Sequence, residues 1–338
     1  MKNRTISHRQ LLTVVFLALF PLGTEVLFSR LATAGAAGWL CPVLAGAVAV
    51  LLALLEGQRV VSFPERGINR FLAVLLLLWG LFFGGAQVCR MGVRLSDALG
   101  ASPVVLTAAL LALSAWMAAG WLPAFARACE IFLLAIGSAA ALILLGGVFR
   151  LRWDWVLLWT PRELMQVPLG SLECLGLLAV GCYGIFLIKD VAPEEHTTGR
   201  TCRMLGRLAL LLGGIGILIL GRFGASLTGQ IDRPFFQMVS GLGLEGAFQR
   251  LEQLASALWA LGDLALLGFL LLCLTRLTAH AARRQEKAGW TWGLAVILFL
   301  LALPVSFWKG MLAGPLLWVG NLFAGGIILA VFGRKKKK

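Results

Sequence analysis

A few residues able to take part in chemistry lie inside stretches of this chain that are otherwise apolar. Glu25 closes the run Pro21-Leu22-Gly23-Thr24-Glu25, and Glu173 closes Pro168-Leu169-Gly170-Ser171-Leu172-Glu173, about half the chain further on. Asp263 stands near the middle of another apolar stretch, and Gln87 and Arg90 stand one helical turn apart in a fourth. In hydrocarbon, an ionised side chain costs about 2.5–3.5 kcal/mol on the insertion scale, and a freed backbone group costs several kcal/mol. Such residues must therefore face other protein groups or a water-filled cavity. The chemistry open to them is recognition of a small charged molecule, or the holding of a proton or cation. Bond-making is not expected. No nucleophile lies at a workable spacing from a base, no Walker or dinucleotide glycine loop is present, and no carboxylate cluster lies outside the apolar stretches.

Proline removes an amide donor and glycine lets a chain leave helical geometry, so the spacing predicts unwinding around Gly23 and Thr24. Unwound backbone and half-helix dipoles hold the carboxylate and ammonium ends of an amino acid, which makes Gly23, Thr24 and Glu25 candidate ligand contacts. The alternative is a kinked helix with Glu25 snorkelling or paired to Arg30 at the outer surface. The later stretch offers two places for a break: Pro168 to Glu173, and Gly176, Gly181 and Gly184 around Cys182 and Tyr183. Glu25 lies deep in its stretch and Glu173 near the start of its own, so the two motifs do not match in depth. The second break is therefore assigned to Gly176–Gly181, with Pro168–Glu173 as an outer entrance. Tyr183, the single tyrosine of the chain, either donates to a ligand or anchors and packs the helix. Asp263 either binds a proton or cation or caps a structural hydrogen-bond network; Glu173 is the second candidate for an ion or proton site. Arg90 is a candidate partner for Glu25 or Glu173, and Arg127 and Glu130 form a local helical pair.

The elements that must position these residues follow from composition. Of 338 residues, 59% are hydrophobic and 14% charged, which places the chain in a bilayer. A hydrocarbon core about 30 Å thick needs roughly 20 apolar residues per helix. Ten such stretches are present, at 11–31, 39–55, 71–93, 103–119, 128–149, 167–188, 205–223, 251–274, 290–307 and 311–332. The expected fold is an all-α integral membrane protein forming one transmembrane domain over 1–338. Ten spans divide into two five-helix sets, about 9–149 and about 165–333. An odd number per set inverts the second set in the membrane, with the first helix of each set, helices 1 and 6, broken.

The net charge of +14 sorts by membrane side, which argues against nucleic acid. Most basic residues fall in segments that are cytoplasmic if both termini are cytoplasmic, among them Lys2, Arg4 and Arg9, the loop Lys189 to Arg203, and the tail Arg334 to Lys338, which also favours anionic lipid. Between the fifth and sixth stretches, Trp153, Trp155 and Trp159 mark a segment lying along the outer interface. The outer segment Ala225 to Ala247, with Pro234, Phe235 and Phe236, reads as a packed lid. Seven cysteines lie singly without CxxC or CxxxH spacing, and three histidines fall in cytoplasmic loops. No disulfide framework, metal site or cofactor is expected. The first apolar stretch is too long for a signal-peptide core, so it is expected to remain as a helix.

The run Thr5-Ile6-Ser7-His8-Arg9-Gln10, then Gly23-Thr24-Glu25-Val26-Leu27, Gly35 and Trp39-Leu40, resembles the opening of the permease-like B subunits of spore germinant receptors. Pro234-Phe235-Phe236, then Gln249-Arg250-Leu251-Glu252 and Trp259, resembles the same family's stretch into helix 8. These subunits belong to the amino acid, polyamine and organocation transporter superfamily. The resemblance covers nearly the whole chain in length and helix order. It implies a ten-helix bundle in the spore inner membrane, binding a small nutrient such as an amino acid, with A-type and C-type receptor subunits as partners and no cofactor. Carried over by position, the ligand contacts are Gly23, Thr24 and the Gly176–Gly181 region. The chain departs from the family at Ser29, where a proline often stands, and it has no membrane-centred lysine in the fifth stretch. An amino acid transporter acting alone is the alternative, and a scaffold with a dead site is a third reading.

Overall fold

The computed structural model describes residues 5–56, 70–191, 198–242, 251–304, 308 and 315–332. The basic tail, His196 and the Pro193-Glu194-Glu195 connector, and Gln249 and Arg250 lie outside the described residues.

The described chain is helical, with one isolated parallel bridge, between Ile6 and Val191. The helices are α1 (His8–Val26), α2 (Phe28–Leu31), a 3-10 segment (Ala32–Trp39), α3 (Leu40–Glu56), α4 (Arg70–Leu99), α5 (Pro103–Ala119) and α6 (Leu122–Val148). There follow α7 (Asp154–Leu157), α8 (Pro161–Ala179), a second 3-10 segment (Val180–Asp190), α9 (Thr198–Thr228), α10 (Pro234–Ser240), α11 (Leu251–Ala282), α12 (Ala288–Ala302) and α13 (Leu316–Phe332). The described parts of the apolar stretches are mostly helical, but 11–31 is divided between α1 and α2, and 167–188 between α8 and the second 3-10 segment. Among the described residues, six helices are long and apolar enough to cross a membrane, and seven if the bent pair Phe28–Ala37 and Leu40–Leu55, angled at 100°, counts as one span. Three further apolar helices, Pro103–Ala119, Ala288–Ala302 and Leu316–Ala330, are shorter. The chain is an integral membrane protein by this measure. Its outward faces are apolar, as with Ile131, Leu134, Leu142 and Leu145 on α6, all more than half exposed.

Capping boxes start both α1 and α8. The Ser7 hydroxyl accepts from Gln10 N while the Gln10 side chain accepts from Ser7 N, and Thr160 and Glu163 do the same for α8 with Pro161 in its first turn. The two helices run antiparallel. Ile6 before α1 bridges Val191 after the second 3-10 segment, Val15 lies against Gly181 and Gly184, Gly23 faces Leu177, and Arg30 pairs with Glu173. Each therefore gives way to 3-10 winding at the opposite end of the pair.

The interruption in the first helix differs from the expected place. The α1 helix stays α-helical through Pro21-Leu22-Gly23-Thr24-Glu25, and the winding changes only at Leu27. Two features, one local and one from α11, hold the proline in the helix. The Thr24 hydroxyl donates to Pro21 O at 2.8 Å, and α11 closes over the proline ring so tightly that a methyl group on Gly262 would collide with it. The true irregularity comes at Gly35, whose φ of +60° is a left-handed geometry that only glycine adopts freely. There Glu163 Oε1 accepts from Ala36 N at 3.1 Å, tying the 3-10 segment to the start of α8. In the second helix the change falls at Val180, inside the expected glycine region.

The bundle is organised around α11, which packs against α1, α4, α5, α6 and α12, while α9 packs on α3 and α8 packs on α3 and α13.

Candidate functional site

Four charged side chains meet in the interior where α1, α4 and α11 converge, under the short helix α10. From α4 come Arg90 and Arg94, four residues apart on one face, with Gln87 three residues before Arg90 on the same face. From α1 comes Glu25 and from α11 comes Asp263. The side chains of Glu25 and Asp263 are each 3% exposed and that of Arg94 is 1% exposed.

Arg94 is the hinge of the network. Its Nη1 donates to Glu25 Oε2 at 2.7 Å, and its Nη2 donates to Asp263 Oδ2, so one guanidinium joins α1 to α11 from a third helix. Arg90 pairs with the same Glu25 oxygen, stands 4.0 Å from Asp263 Oδ1, and donates through Nε to Gln87 Oε1 at 2.8 Å. Two positive and two negative groups balance. That balance is a condition of burial, because an isolated charge in a low-dielectric interior costs far more than a paired one.

An aromatic wall closes the site toward α10. Trp259, one turn before Asp263, donates through Nε1 to Thr24 Oγ1 at 2.7 Å, stacks at a tilt on Phe235 with ring centres 4.8 Å apart, and meets Phe236 edge-on. The Arg94 guanidinium lies 5.5 Å from the Phe236 ring centre, a cation–π distance. The start of α10 is pinned by an ion pair of 2.9 Å between Arg233 and Asp97. Its far end is held by Arg150 Nη1 and Arg222 Nη2, which donate to Gly241 O at 2.6 and 2.7 Å.

The structure brings Glu25, Thr24 and Asp263 together and separates the other candidates from them. Gly23 serves helix contact, since a Cβ there would lie 2.9 Å from Leu212 Cδ2. Gly176 lets α8 approach the backbone of α13 at Trp318, and Gly181 packs on Val15 and Leu19 of α1. Tyr183 is buried and donates to Leu76 O at 3.3 Å, which is packing between the second 3-10 segment and α4. Glu173 pairs with Arg30 at 3.3 Å, where both side chains keep some solvent exposure. Of the two partners weighed for Glu25, Arg90 holds it, and Arg30 holds Glu173.

Arg94 was not singled out from the sequence. The signal was present. Gln87, Arg90 and Arg94 follow i, i+3, i+7, one polar stripe on a helix that is otherwise apolar from Phe71 to Leu95. Trp259 entered only through the family resemblance and not as a wall of the site. Among the described residues, no group of three or more His, Cys, Asp or Glu is placed to hold a metal.

No protein-family model and no curated protein matches the chain.

Proposed function

We propose that this chain is a permease-like subunit of a spore nutrient germinant receptor, binding a small nutrient such as an amino acid at the Glu25–Arg90–Arg94–Asp263 cluster. The observation that carries the site is a charge-balanced ion-pair network deep in a membrane-embedded bundle. Ion pairs of this kind are weak stabilisers, since apolar replacements often match or exceed them, and ionisable groups at membrane depth mark ligand and ion pathways. The family resemblance supplies the receptor role. Under this reading ten helices form two inverted repeats, and the antiparallel α1 and α8 with 3-10 winding at opposite ends support it. Both termini are cytoplasmic, the membrane is the spore inner membrane, and A-type and C-type subunits complete the receptor. The short helix α10 acts as the outer cover. The protein is not an enzyme.

A stand-alone amino acid transporter is the second reading, favoured by closure at both ends of the α1–α8 pair. Arg30 and Glu173 close one end, while the Ile6–Val191 bridge and the bond from Arg276 Nη1 to Phe186 O, 2.6 Å, close the other. Proteoliposomes holding only this protein separate the two. The receptor reading expects labelled amino acids to bind without accumulating, and spores lacking the gene to lose a nutrient response that the wild-type gene restores and an Asp263→Ala gene does not. Accumulation above protein-free vesicles selects the transporter. A nutrient response unchanged by deletion refutes the receptor.

A further inference from the structure

The ion pairs of the cluster leave some of its polar atoms over. Glu25 Oε1, Gln87 Nε2 and Arg94 Nε are buried and make no hydrogen bond. A buried donor or acceptor left without a partner loses its hydration with nothing in return. Gln87 is wholly buried, and because its Oε1 accepts from Arg90 Nε, its amide nitrogen sits beside the Arg90 guanidinium. Two donors of matching chemistry thus adjoin on α4, and one spare acceptor belongs to Glu25 on α1.

Resting on the reading of this cluster as the ligand site, the geometry points to a zwitterionic ligand, its carboxylate held by Gln87 Nε2 and Arg90 and its ammonium held by Glu25 Oε1. Three features carry this. A carboxylate accepts from a guanidinium and a neighbouring amide at once, as it does in bidentate pairs. Both arginines converge on the single oxygen Glu25 Oε2, so Arg90 can pass to an arriving carboxylate while Arg94 keeps Glu25 paired. The four side chains sum to zero charge, and a zwitterion leaves that sum unchanged, whereas a simple anion or cation would add an unbalanced charge in a low-dielectric site. Backbone recognition by α1 is not available at this place. The helix is unbroken through Glu25, and beyond it Leu27 N still donates to Gly23 O at 3.2 Å.

The test is direct binding to the full chain in lipid nanodiscs. Probes are the twenty L-amino acids, each with its amide, its decarboxylated amine and its deaminated acid. At least one amino acid is expected to bind, its three analogues at least tenfold more weakly. Gln87→Met is expected to weaken the amino acid at least tenfold and leave the residual affinity of the amine unchanged. Gln87→Glu keeps the size of the side chain and its acceptor for Arg90 Nε, and is expected to abolish carboxylate binding. An amine or amide that binds as tightly as its parent amino acid overturns the proposal, as does a Gln87→Met effect equal on amine and amino acid. A different neutral molecule whose binding requires Asp263 overturns the ligand class and leaves the cluster as the site. If no probe's binding depends on Glu25 or Asp263, the reading of the site falls as well.

Discussion

Glu25 and Glu173 end the same kind of Pro-Leu-Gly run, yet the two ends of the motif do different work. Glu25 is enclosed by three helices and holds two arginines on one oxygen. Glu173 holds one arginine, Arg30, at 3.3 Å, with 24% of its side chain open to solvent. The difference lies in what the neighbouring helices present. Across from Glu25, α4 shows the stripe Gln87-Arg90-Arg94, and Gly262 lets α11 come close enough to bring in Asp263. Glu173 is met by Arg30 from the short α2. A carboxylate with several buried partners is part of a network with something to lose; a partly exposed carboxylate in a single ion pair is a surface tie.

That contrast can be broken by substitution. The largest effect is expected for Glu25→Ala or Arg94→Met, each of which leaves an uncompensated buried charge and should lower stability by about 3–5 kcal/mol. Thermal unfolding in nanodiscs measures it, and Glu25→Gln combined with Arg90→Gln, which restores the balance, should recover much of the loss. Next comes Gly262→Leu, which forces α11 away from Pro21; overpacking of this kind costs about 1–3 kcal/mol, and ligand binding should fall with it because Asp263 moves too. Trp259→Phe removes the bond to Thr24 and should cost about 0.5–1.5 kcal/mol. The smallest effect belongs to Glu173→Gln, about 0–1 kcal/mol and diminishing as salt is added. If Glu173→Gln proved as damaging as Glu25→Ala, the distinction between network and tie would collapse.

The membrane class and the helix positions were legible because they depend on local composition. Every apolar stretch carries its own signal, and lipid imposes helix on it. The location of the break was not legible. Pro21 and Gly23 have the residue types of an unwound segment, but the Thr24 hydroxyl and the closely packed Gly262 keep the helix wound, and the second of these lies on a helix more than two hundred residues away in sequence. The site was half legible. Glu25 and Asp263 stood out because carboxylates are costly in hydrocarbon. Arg94 was lost because an arginine near a helix end ordinarily snorkels to the interface, and only the arrival of α1 and α11 turns it inward. Tyr183, Gly176 and Gly181 were candidates by type, and their partners turned out to be Leu76, Trp318, and Val15 with Leu19.

The central claim is that the nutrient binds at the charge cluster. The most direct measurement is the unfolding midpoint of the full chain in nanodiscs, with and without a saturating pool of the twenty L-amino acids, for the wild type and for the charge-balanced pair Glu25→Gln with Arg90→Gln. A rise in midpoint is expected on adding the pool to the wild type and none for the doubly substituted chain, which still unfolds cooperatively. A rise of equal size in both proteins, or in neither, would contradict it.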